Sequence, residues 1–269
     1  MYFIKTISGS LTSFFRDECF YLAASIAYFL IVSLVPLSLL IVGLFGYMLG
    51  GNEELYQFLL SKLTSFFPAV TAGITTEIKK LIIYRGISVI SFFIYGFLAL
   101  QLFYSVEHAM NVIFKVPKKR HFLLSLFWTV FIVTLVIIFW LISFTVSSFA
   151  GIIRQYPMNL LGVEVSYNAG ILVKYVAPFV LALLTFTAVY KIVPHVRIDT
   201  MHAFSGSLLV TLLAELAKHI FTWIVRNVAY IGTIYGSLST FILLLLWMYY
   251  LSCIFLLGAE FVNSLSRKA

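Results

Sequence analysis

The chain has 269 residues, of which 62% are hydrophobic and only 10% charged, with a formal net charge of +8. An ordinary soluble domain carries about 25% charged residues, so this composition argues against a soluble enzyme. Six long apolar stretches hold the excess and the charges fall between them. The predicted fold class is all-α: a polytopic integral membrane helical bundle of six transmembrane helices, with residues 1–269 forming a single membrane domain.

At the N-terminus, Lys5 is isolated, and Arg16, Asp17 and Glu18 directly precede the first apolar run. That run is far longer than the ~7–15-residue core of a signal peptide, so it is expected to stay as the first membrane helix. A hydrocarbon core about 30 Å thick needs roughly 20 apolar residues, and span one covers about residues 19–49. About thirty helical residues extend roughly 45 Å, and Pro36 near the middle predicts a kink. Ala23, Ala24 and Ala27 give a small face at one end and Gly46–Gly50 a G-x-x-x-G at the other. Residues 50–85 form the longest loop. Leu55, Phe58, Leu59, Leu63 and Phe66 have helical spacing, as do Ile74, Ile78, Leu81 and Ile82. Two amphipathic helices on the outer interface, or an ordered cap on the bundle, fit this pattern equally.

Span two covers about 86–114, span three 122–150, and span four 169–193, with Pro178 as a second kink site. Span five covers about 201–225 and span six 237–262. Helices are preferred to strands because a helix satisfies its own backbone in lipid. Lys and Arg mark the cytoplasmic side. Lys115, Lys118, Lys119 and Arg120 crowd the loop between spans two and three. Lys191 and Arg197, the C-terminal Arg267 and Lys268, and Lys5 and Arg16 fall on the same side in a six-span chain, so both termini are expected in the cytoplasm. In a soluble protein the basic excess would suggest a nucleic-acid partner. Here it flanks apolar segments, and anionic headgroups of membrane lipids at Lys115, Lys118, Lys119 and Arg120 are the simpler partner.

Ionisable residues inside spans are costly and become functional candidates. Glu215, Lys218 and His219 share one face of span five. They form either an ion-responsive site or a self-neutralised pair that pins packing. Glu107, Glu260, Asp17 and Glu18 stand at similar depth near the cytoplasmic ends of their spans, with Asn111 and Asn263 beside them. They read either as a polar vestibule or as helix-end charge pairing, and Glu260 and Asn263 are expected to face inward near Asp17 or Glu107. Cys19 and Cys253 have neither metal-ligand spacing nor a disulfide framework, and read as small apolar residues. The histidines, His108, His121, His195, His202 and His219, form neither H-x-H nor H-E-x-x-H. Phosphate-loop, dinucleotide and G-x-S-x-G signatures are missing too. No catalytic activity, cofactor or metal is predicted.

Residues 17–29, Asp-Glu-Cys-Phe-Tyr-Leu-Ala-Ala-Ser-Ile-Ala-Tyr-Phe, followed by Ser33-Leu34-Val35-Pro36, resemble the opening of the YihY/BrkB family of bacterial inner-membrane proteins. Tyr235-Gly236, Leu245-Leu246-Trp247-Met248-Tyr249, Gly258-Ala259-Glu260 and Asn263 resemble its end, and Pro194 its cytoplasmic turn. Ala203-Phe204-Ser205-Gly206 departs from the Gly-Ala pair expected early in span five. The resemblance implies six helices in the cytoplasmic membrane. It also brings two labels, a tRNA-processing ribonuclease and a serum-resistance virulence factor. The first conflicts with the missing metal or acid–base constellation, and the second names a phenotype. The expected role is transporter-like or lipid- and envelope-handling; the alternatives are a non-catalytic scaffold or assembly factor and, third, the membrane-associated ribonuclease that the family label suggests.

Overall fold

A computed structural model describes residues 2–48, 89–116, 165–227 and 239–267. Regular structure among these residues is α-helical: α1 (Tyr2–Arg16), α2 (Cys19–Met48), α3 (Val89–Ile113), α4 (Val165–Ile192), α5 (Thr200–Asn227) and α6 (Ser239–Ser266). The third apolar segment, the loop 50–85 and the basic residues Lys118, Lys119 and Arg120 lie outside the described residues.

The apolar runs explain α2 to α6, whereas α1 lies ahead of the first run, where the sequence reading places no element. It forms because Thr6, Ser10 and Phe14 recur at a spacing of four, one helical turn apart, and all three are buried. The Ser10 hydroxyl donates to the Thr6 carbonyl at 2.8 Å and to Ser264 Oγ of α6 at 3.2 Å. Asp17 and Glu18 then turn the chain into α2, with Glu18 in the left-handed region at φ 53°.

Helix α2 runs unbroken past Pro36, and α4 past Pro178. Pro178 has no N–H, so the carbonyl four residues back loses its helical donor. Helix α3 ends in a Schellman motif: Val116 N–H donates to the Asn111 carbonyl at 3.0 Å and Lys115 N–H to Val112 at 3.2 Å. Lys115 therefore adopts φ 51°, where glycine is usual. Among the described residues, two stretches, Thr200–Ile224 in α5 and Phe241–Ser266 in α6, are long and apolar enough to cross a membrane.

The chain divides into two compact units. One is bounded by Met1–Cys19, Glu107–Lys218 and Ile254–Ala269. Its core holds Met110, Ile113, Tyr190, Val210, Leu256, Phe261 and Val262. Here α5 and α6 approach closely at two glycines. A β-carbon on Gly206 would collide with Val262 Cγ2, and one on Gly258 with Val210 Cγ2 and the Tyr190 hydroxyl. That hydroxyl donates to the Phe255 carbonyl at 2.6 Å, and the two rings stack with centroids 5.3 Å apart. The other unit is bounded by Phe20–Val106 and His219–Cys253. It buries Ala23, Ile26, Ala27 and Phe103, while Ser25 and Ser105 share a hydrogen bond of 3.0 Å. Phe221 packs on Trp247 at 4.8 Å.

Candidate functional site

The first unit gathers polar groups from the α1–α2 turn, the end of α3, the α4–α5 connection and the end of α6. Glu260 is the most enclosed of them, with no exposed surface. Its place follows from α6, where Leu256, Ala259, Phe261, Val262 and Asn263 are also buried, so this helix end is enclosed on several faces. Cys19 Sγ lies 3.8 Å from Glu260 Oε1. Asp17 and Asn263 approach the same carboxyl, and Arg16 acts on it from farther away. Glu260 Oε2 and Asp17 Oδ2 are buried with no hydrogen-bond partner among the described residues.

Arg16 meets this acid pair from its exposed side. Its Nε meets Asp17 Oδ1 at 3.2 Å, but the guanidinium is more than half exposed while Asp17 is nearly enclosed. Asp17 raises the Arg16 pKa, chiefly through that hydrogen bond. Asn263 also donates to the Ile113 carbonyl at 2.7 Å. This bond ties α6 to one of the last α3 carbonyls, which lack a helical donor of their own.

A second pair lies in the same unit. His195 Nε2 meets Glu107 Oε1 at 2.9 Å, both side chains being more than nine-tenths buried. His195 comes from the α4–α5 connection, just after Pro194. No sequence motif marks this pair, because its two partners are far apart in the chain and no spacing links them. Cys19, a small apolar residue by its sequence context, also touches Glu260, a contact that leaves no signal in the sequence.

The remaining candidates are placed differently. Glu18 is exposed in the turn. Glu215 pairs with Lys218 at 2.6 Å, three residues on, with both side chains around half exposed. His219 is exposed, and Glu215 is not among the groups that meet Glu260. No group of three or more His, Cys, Asp or Glu able to hold a metal occurs among the described residues. The polar centre is therefore an acid pair beside a thiol and an amide, suited to taking up a proton or another cation.

The family model for Virulence factor BrkB matches residues 10–269. A UPF0761 membrane protein of Alkalilimnicola ehrlichii is 31% identical, over 94% of this chain and 56% of its own length. A UPF0761 membrane protein of Legionella pneumophila is 29% identical, over 92% of this chain and 58% of its own. The chain thus spans little more than half the length of these two relatives. A third UPF0761 membrane protein, of Coxiella burnetii, is 28% identical over 96% of this chain and 92% of its own. No solved structure matches.

Proposed function

The chain belongs to the Virulence factor BrkB family, a family of membrane proteins, and from that premise we propose that it is a non-catalytic, transporter-like protein of the bacterial inner membrane. In this reading six helices cross the bilayer, both termini are cytoplasmic, and the Asp17–Glu260 pair accepts a proton or other cation during movement of a solute or lipid. The basic residues Lys115, Lys118, Lys119 and Arg120 meet anionic headgroups at the cytoplasmic face. Glu107, His195 and Asn263 hold the surrounding helix ends in place. The Glu215–Lys218 pair, with His219 beside it, neutralises itself and stays outside the acceptor site.

One observation carries the reading: Glu260 is fully buried beside a second carboxylate, with one oxygen unpaired among the described residues. A bundle selected for stability alone gains nothing from this. Buried ionic groups are often replaced by apolar ones of similar volume at no cost, whereas ionisable groups inside membrane helices mark ion and substrate paths. A scaffold role is the second reading, supported by the tight α5–α6 approach at Gly206 and Gly258.

Proteoliposomes holding wild type, Glu260→Gln or Asp17→Asn separate the two. Transport requires proton flux or lipid exchange above empty vesicles in wild type, and its loss in Glu260→Gln while helical content is kept. Equal rates in empty, wild-type and variant vesicles would remove the transporter reading and leave the scaffold.

A further inference from the structure

Helix α1 carries three distinct stripes, each with a spacing of four. Thr6, Ser10 and Phe14 are buried. One residue later on the wheel, Ile7, Leu11 and Phe15 are exposed and apolar. One residue later again, Ser8, Thr12 and Arg16 are exposed and polar. Successive residues in an α-helix are rotated by about 100°, so the apolar stripe lies between the packed face and the polar face. A helix surrounded by water on its free side has no use for such a stripe, and one buried in protein would not show it. This is the pattern of a helix held at a boundary between apolar and aqueous media.

Two further features name the apolar medium. The chain belongs to a family of membrane proteins, and after a two-residue turn α1 continues as α2, whose residues Cys19–Ser33 form an apolar stretch. Covalent continuity therefore keeps the end of α1 close to the start of that apolar segment. The Ser10–Ser264 hydrogen bond and buried Phe14 fix the rotation of α1 on its own unit, so the apolar stripe cannot turn inward. Arg16 ends the polar stripe, where an exposed guanidinium can meet lipid phosphate.

We propose that α1 is an interfacial helix lying in the membrane surface, with Ile7, Leu11 and Phe15 set into acyl chains and Ser8, Thr12 and Arg16 facing headgroups and water. With the topology proposed above, that surface is the cytoplasmic leaflet. The occupant of the stripe is phospholipid.

The photocrosslinking residue p-benzoylphenylalanine, introduced one position at a time into the full chain, tests this directly. Positions 7, 11 and 15 probe the stripe, and 8 and 12 serve as controls. Each variant is reconstituted in vesicles of phosphatidylethanolamine and phosphatidylglycerol and irradiated, and chain–lipid adducts are read by intact mass. Adduct yields severalfold higher at 7, 11 and 15 than at 8 and 12 are expected. Phe15 is already aromatic and accepts the probe with least change, so its result decides the matter if another variant fails to insert. Equally low yields at all positions would overturn the proposal in favour of a water-facing helix. Chain–chain products from the stripe in place of lipid adducts would also overturn it, because a second copy would then be the occupant. Neither result depends on whether the protein transports anything.

Discussion

Replacing Gly258 with alanine should strike the most tightly packed point of the structure. The new β-carbon would collide with Val210 Cγ2 and stand 3.2 Å from Tyr190 Cζ. Tyr190 cannot move freely, because it is fully buried, stacked on Phe255 and hydrogen-bonded to the Phe255 carbonyl at 2.6 Å. Overpacking of a filled core costs about 1–3 kcal/mol, and loss of the Tyr190 hydrogen bond about 0.5–1.5 kcal/mol. Together they predict a destabilisation of about 1.5–4.5 kcal/mol. Unfolding in mixed micelles by SDS titration measures it. The obstruction is specific, so in a Tyr190→Phe, Val210→Ala background the same glycine replacement should cost less than about 1 kcal/mol. A near-neutral Gly258→Ala, or an equal cost in both backgrounds, would refute the proposed contact between α5 and α6.

Three further outcomes are expected. Glu107→Ala and His195→Ala should each lower stability by about 1.5–3 kcal/mol, and the double variant should cost little more than either alone; additive losses in the same titration would show that the 2.9 Å contact is not a working pair. Lys115→Gly should stabilise by about 0.5–1 kcal/mol, because glycine accepts the left-handed backbone that lysine resists; a lower midpoint would mean that the Schellman turn is not retained. Under the proposed topology, a cysteine replacing Lys118 should be shielded from a membrane-impermeant thiol reagent in intact cells while one replacing Gln155 is labelled, and labelling at 118 would exclude cytoplasmic termini in a six-span chain.

The long helices were readable because their signal is redundant: each apolar run exceeds the roughly 20 residues a span requires, and one misread residue changes little. Helix α1 was hidden because its apolar residues interleave with Ser, Thr and Gly, and because its buried stripe is itself two-thirds polar. Burial of Thr6 and Ser10 has no hydropathy signature; it follows from hydrogen bonds to the helix backbone and to Ser264. The acids Glu107, Asp17 and Glu260 were legible through their cost inside or beside apolar segments. Their division into an Asp17–Glu260 pair and a Glu107–His195 pair was not, since both are made by residues distant in sequence. For the same reason Gly206 stood out only as a departure from a family motif, although its missing side chain is what admits Val262.

The turn at Asp17 and Glu18 limits how the gene can change length. Inserting one residue between Leu11 and Arg16 would rotate the preceding part of α1 by about 100°. The stripe of Ile7 and Leu11 would then exchange places with a neighbouring one, and Ser10 would leave Ser264. Insertions or deletions in this stretch should therefore survive only as near-whole turns of three or four residues, whereas polar substitutions at Ser8 and Thr12 are free to accumulate.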